Sequence, residues 1–185
     1  MTIYLIRHGQ SEFNAAFKED PSKDPMIFDA PLTKLGHTQA RQAREEIADL
    51  GIRRVICTPM TRAIQTALVM FDGIASITID ALHREQVSHS CDVGRTPGAL
   101  SFAFPVLSFD HLEDHWWYDG PCNEENIPVE PEEVLHQRVT EFDKSLEKIT
   151  NLPVAVIGHG NFFKMLVGQK LDNCEIITYE AGSFS

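Results

Sequence analysis

Two short clusters carry residue types suited to chemistry on an anion. Arg7, His8 and Gly9 follow an apolar run at Ile3–Ile6, and Gly158, His159 and Gly160 follow another at Val154–Ile157. A third apolar run ends at Cys57 and Thr58, and Arg62 stands one helical turn beyond it. Two imidazoles and two guanidiniums brought together would repel one another unless an anion lay among them, and a guanidinium matches phosphate oxygens in bidentate fashion. The set points to a phosphate-like substrate, with Gly9 and Gly160 letting the backbone approach it closely. Either cluster alone also reads as a charged turn after a buried strand. Their recurrence is what favours a site.

For these residues to meet, the runs must be parallel strands with aligned carboxyl ends, the edge at which open α/β sheets bind ligands. The patterning supports this. Residues 2–6 form a short continuous apolar run, as expected of a strand covered on both faces. A polar loop over 9–31, punctuated by Pro21, Pro25 and Pro31, leads to a helix that Thr33 can cap and Gly51 can stop, with Ala40, Ala43, Ile47 and Leu50 as its stripe. RRVICTP reads as a second strand, MTRAIQTALVMF as a second helix and SITIDAL, residues 76–82, as a third strand. Residues 84–130 break this rhythm at Gly94, Pro97, Gly98, Pro105 and Gly120 and are expected to form a functional loop or an embellishment packed on the core. Pro131 then opens a helix carrying Leu135, Val139, Phe142, Leu146 and Ile149, followed by strand PVAVIGHG, helix NFFKMLVGQKL and a final strand CEIITYE. The order predicts an α/β fold of three layers, a mostly parallel central sheet with helices on both faces. Its 185 residues suit a single domain over 1–185 with a loop-rich cap insertion at about 84–130.

Composition narrows the function classes. Hydrophobic residues make up 43% and charged residues 23%, as in a soluble globular chain. No apolar stretch approaches the roughly 20 residues of a membrane-spanning helix. With a strand expected from residue 2, no signal segment is expected, and a cytoplasmic location is the expectation. Sixteen Lys and Arg against 27 Asp and Glu give a formal charge of −11, which opposes nonspecific binding to nucleic acid or an anionic membrane. Any anion site must therefore be made locally. Cys57, Cys91, Cys122 and Cys174 contain no C-x-x-C pair, so reduced thiols are the simplest reading.

Other motifs compete less well. HLEDH at 111–115 places two histidines one turn apart but fits neither H-E-x-x-H nor H-x-x-E-H, and it reads as a solvated helix face with no metal. IGHGNF mimics the start of G-x-G-x-x-G, yet Phe163 replaces the third glycine. His37, His83, His89 and His136 read as surface or loop histidines, and Thr33 with Gly36 as a helix start near the site.

LIRHGQSEFN, PLTKLGHTQA, CTPMTRAIQTA, the HRE triplet at 83–85 and VIGHG together resemble the histidine phosphatase superfamily, also called phosphoglycerate mutase-like, over nearly the whole chain. The resemblance implies that His8 is the phosphorylated nucleophile, that Arg7, Arg62 and His159 bind the transferring phosphoryl group with Asn14 assisting, and that Glu85 is the proton donor. Asp92, in CDVG, is the alternative acid. Cys57 stands, next to Thr58, where serine is frequent in the family, a departure expected to leave the chemistry intact. No cofactor or metal is then required, because fixed cations meet the charge in transit.

The chain is shorter than the glycolytic mutases it resembles, and QVSHSCDVGRTP after Glu85 differs from their segment. Hydrolysis of a small phosphomonoester is therefore expected, with mutase-type transfer as the alternative and a non-catalytic phospho-ligand module further behind. Arg84 and Arg95 are candidates for a second anionic group of the substrate. Phe102, Phe104, Trp116, Trp117 and Tyr118 could wall a pocket or pack the insertion onto the core. The expected partner is the small substrate, with a homodimer allowed.

Overall fold

A computed structural model describes residues 2–151 and 153–184. Its sheet has five strands, β1 (Ile3–Arg7), β2 (Arg54–Cys57), β3 (Ser76–Ile79), β4 (Val154–Gly158) and β5 (Ile176–Tyr179), in the order β3-β2-β4-β1-β5. The first four are parallel, and β5 runs antiparallel on the edge beside β1. Register aligns Arg7 with Gly158 and Cys57 with Ile157. His8, Thr58 and His159 therefore leave the sheet side by side.

The continuous apolar runs are explained by two cores. Ile6, Val55, Cys57, Ala155 and Ile157 face α2 (Lys34–Glu46) and α3 (Thr61–Phe71), meeting Ala40, Ala43, Ala63, Ala67 and Phe71. Their alternates, Ile3, Leu5, Ile56, Val154 and Val156, face α5 (Glu132–Leu146) and α6 (Gly160–Val167), meeting Leu135, Phe142, Phe162 and Phe163. With both faces covered, period-two alternation of apolar and polar residues disappears from the strands. This is the mostly parallel α/β sheet with helices on both faces. No helix among the described residues is long and apolar enough to cross a membrane.

Several local expectations are corrected. The polar stretch after β1 contains a helix, α1 (Glu12–Glu19), because Ser11 and Asn14 form a reciprocal capping box and Phe13 and Phe17, one turn apart, pack into a small cluster with Ala30 and Cys91. The helix capped by Thr33 ends at Glu46, ahead of Gly51, and strand SITIDAL stops at Ile79. Within 84–130 lie a 3₁₀ turn at Ser90–Asp92 and a short helix, α4 (Pro97–Ala103), begun by Thr96. HLEDH is turn, not helix, and His111 Nε2 donates to the Ile79 carbonyl at 2.9 Å. The insertion aromatics pack more than they wall: Trp116 is buried with Nε1 donating to the Arg95 carbonyl, Phe104 and Trp117 lean on the same core, and Phe102 is 92% exposed.

Candidate active site

His8 is buried just beyond β1, and its Nδ1 lies 2.7 Å from the carbonyl oxygen of Gly9. A carbonyl only accepts, so Nδ1 carries the proton and Nε2 keeps its lone pair. Facing that lone pair at 3.3 Å is Nε of Arg62, from the first turn of α3. Burial first, then Arg62 and Arg7, hold the His8 pKa well below the ordinary histidine value. These surroundings favour the neutral ring, with its Nε2 lone pair turned to the Arg62 Nε–H.

The second imidazole, His159, is fully buried with its ring centroid 5.2 Å from that of His8. Its Nε2 is 2.7 Å from the Thr58 hydroxyl, whereas its Nδ1 is buried without a protein partner. Burial and the neighbouring Arg62 and His8 push its pKa well below the ordinary value too. Arg7 donates from Nη1 to the Leu171 carbonyl at 2.7 Å, and its Nε is buried without a protein partner. Gly160 lies against this guanidinium, 3.4 Å from where its Cβ would stand. An orphaned guanidinium N–H and an orphaned imidazole nitrogen, both buried beside His8, are a costly arrangement unless a ligand is meant to meet them.

Arg62 differs from Arg7. It donates to the Cys91 carbonyl at 2.6 Å and to Asp92 at 3.0 Å, a pair whose side chains are 3% and 4% exposed. Burial alone would lower its pKa, but Asp92 and its other acidic neighbours leave it raised. Repulsion among the cations is thus relieved partly by a protein carboxylate, which the sequence argument assigned wholly to a bound anion. Asp92 also accepts the backbone N–H of Ser88 and His89. It is committed to holding Arg62 and is not a free acid.

Glu85 sits at the start of α6, accepting the backbone N–H of Asn161 and Phe162 at 3.1 and 3.0 Å. Burial first, and then Asp92, raise its pKa despite these bonds. Asn14 is joined to Ser11 through its Oδ1 and its backbone N–H, so its amide nitrogen is the part left for a ligand.

Other nominations need correction. Arg84 donates to Glu130 at 3.3 Å and shares it with Arg138, while Arg95 pairs with Asp29 at 2.7 Å and reaches the Thr61 hydroxyl. Neither is the free cation suggested for a second anionic group, because a buried carboxylate already faces each. A Cβ on Gly9 would come 2.7 Å from the Gly36 carbonyl, so Gly9 admits α2 to the strand end more than it clears room for ligand. His83 is no surface residue: it is fully buried, donates from Nε2 to the Ile157 carbonyl at 3.1 Å and stacks on Phe142 at 4.7 Å. Thr66 went unnoticed. Its hydroxyl accepts from Gly9 N–H and donates to the Arg62 carbonyl, tying the His8 turn to α3. Its place one turn after Arg62 on the buried face of α3 is the signal that could have found it.

The sequence profile of the histidine phosphatase superfamily (branch 1) matches residues 3–177. A phosphoglycerate mutase-like protein of Arabidopsis thaliana is 26% identical over 94% of this chain and 76% of its own. A probable phosphoglycerate mutase, GpmB, of Enterobacter sp. (strain 638) is 35% identical over 46% of this chain and 38% of its own. Among solved structures, a putative alpha-ribazole-5'-P phosphatase from Escherichia coli superposes with a TM-score of 0.67 at 19% identity, covering 96% of this chain and 89% of that one. A mycobacterial glucosyl-3-phosphoglycerate phosphatase gives 0.62 at 17% identity, over 96% and 90%. These structures share the fold. Members of the matched family are phosphatases or mutase-like phosphoryl transferases, and with the profile running from β1 into β5 the chain belongs to the histidine phosphatase superfamily.

Proposed function

We propose that this enzyme hydrolyses a small phosphomonoester, without a metal, through a phosphohistidine at His8. The observation that supports it most is the tautomer of His8: with Nδ1–H donated to the Gly9 carbonyl, the Nε2 lone pair is directed at the side occupied by Arg62. In the first step Nε2 bonds to phosphorus and the bond from phosphorus to the leaving oxygen breaks, while protonated Glu85 gives its proton to that oxygen. In the second, water attacks phosphorus, Glu85 takes its proton, the P–N bond breaks and inorganic phosphate leaves. Arg7, Arg62, His159 and Asn14 donate to the equatorial oxygens in both steps. The raised pKa of Glu85 suits an acid that must be protonated before the first step.

Mutase-type transfer is the second reading, favoured by the names of the Arabidopsis and Enterobacter relatives. Against it, a mutase must hold a phosphorylated acid and turn it within the site, and Arg84 and Arg95 are already paired with Glu130 and Asp29. Brief incubation with an aryl phosphate should leave an acid-labile, alkali-stable phosphoenzyme that His8→Ala lacks. Active protein without such an adduct rules out the His8 route. A panel of phosphorylated metabolites should then release phosphate. Positional isomers in place of phosphate would decide for the mutase.

A further inference from the structure

Thr58 follows the last residue of β2 and is fully buried. Its backbone N–H donates to the Ile157 carbonyl at 3.4 Å, and its hydroxyl oxygen stands 2.7 Å from Nε2 of His159. Among the described residues that imidazole is the hydroxyl's one polar partner. Two tautomers of His159 fit this contact. If Nε2 carried the proton, it would donate to Thr58, the hydroxyl proton would have no acceptor, and Nδ1 would present a lone pair to an incoming anion. If the hydroxyl donates to Nε2, both groups are satisfied and Nδ1 carries an N–H. Nδ1 lacks a protein partner in both arrangements, but only the second uses the hydroxyl proton, and a buried donor left without an acceptor is the costlier omission.

We propose that Thr58 is a positioning residue that, by donating its hydroxyl proton to Nε2, holds His159 as the neutral Nδ1–H tautomer and so turns that ring into a donor for the phosphoryl group. This rests on the phosphatase reading for its purpose, but its geometry belongs to the free protein. Arg62, His8, His83 and Arg7 surround the ring and, with burial, oppose an imidazolium. The site therefore needs a neutral donor, and a neutral imidazole donates from only one nitrogen. A buried hydroxyl is a suitable selector because it supplies a proton to Nε2 without adding charge.

The test has two arms. Long-range ¹H–¹⁵N spectra of the ligand-free full chain should show His159 protonated on Nδ1 in wild type and in Thr58→Ser, and a changed tautomer balance in the isosteric Thr58→Val. With an aryl phosphate, Thr58→Val should lose roughly 10- to 100-fold in kcat/KM, mainly in kcat, and still form the phosphoenzyme at His8, while Thr58→Ser stays within about threefold of wild type. A wild-type His159 protonated on Nε2, or a folded Thr58→Val with wild-type kcat/KM, overturns the proposal. If Thr58→Val does not fold, the wild-type spectrum and Thr58→Ser still decide. The spectra stand whatever the reaction proves to be, so an inactive wild-type enzyme would sink the phosphatase reading and leave the tautomer assignment to its own result.

Discussion

The carboxyl edge of the sheet and the 84–130 insertion both carry basic side chains drawn partly or wholly out of water, and they treat them differently. At the sheet edge Arg7 meets a backbone carbonyl and leaves Nε unmet, and His159 leaves Nδ1 unmet. In the insertion, Arg84 also leaves Nε unmet but shares the carboxylate of Glu130 with Arg138, and Arg95 shares Asp29 with Thr61. Arg62 lies between the two regimes, facing His8 while an insertion carboxylate, Asp92, holds it. A cation given its own carboxylate is architecture, whereas one that folding leaves with no carboxylate and short of acceptors is available to a ligand. The insertion thus contributes to the site chiefly by fixing Arg62 through Asp92 and by supplying Glu85, which α6 holds, more than by lending new cations.

The comparison breaks most visibly at Glu130, whose side chain is fully buried against two guanidiniums. Glu130→Gln should cost about 3–5 kcal/mol of stability in denaturant titration, since it leaves two buried cations without a counter-charge, and kcat of the folded fraction should stay within about threefold. A stable variant with collapsed kcat would move Glu130 into the chemistry. Arg7→Met should do the reverse, lowering kcat about 10²–10³-fold while shifting stability by no more than about 1 kcal/mol. A large stability loss would show that Arg7 is structural after all.

Acid provides a third test. Burial holds the pKa of His83 down to about 4, and those of His8 and His159 are also lowered. Between these folded values and the unfolded value near 6.5, the unfolded chain binds more protons, so stability is full above about pH 6.5 and falls as pH drops. Glu85 acts oppositely in its own window, because its raised folded pKa makes the folded state the better proton binder above the unfolded carboxyl value. His83→Gln should flatten the histidine slope by about 1–2 kcal/mol between pH 7 and pH 5. An unchanged slope would mean that His83 is already charged in the fold. The smallest effect belongs to Arg95→Met. The Arg95 side chain is 37% exposed, and the buried Asp29 keeps its two bonds from Thr61, so losing the pair should cost about 1 kcal/mol and leave kcat within about twofold.

Much of this was legible in the chain itself. Apolar runs ending in Arg7-His8-Gly9 and Gly158-His159-Gly160 announce strands covered on both faces with imidazoles at their ends, because burial on two sides erases alternation and polar residues can resume only where the sheet stops. Residue types at those ends, with Arg62 one turn into a helix, are enough to propose phosphate chemistry. Helix α1 is hard to read because it is eight residues long and its apolar face is only Phe13 and Phe17, with the Ser11–Asn14 capping box as its other signal.

Pairings across large sequence separations were decided by tertiary structure alone. Whether Arg84 and Arg95 are free or neutralised depends on Glu130 and Asp29, and whether His83 is surface or core depends on Phe142 and Ile157. Asp92 became the holder of Arg62, and Thr58 the partner of His159, only when folding brought residues 30 and 101 positions apart into contact. A residue's type states what it can donate or accept. Which partner satisfies it, and hence what remains for a ligand, is fixed by packing around it.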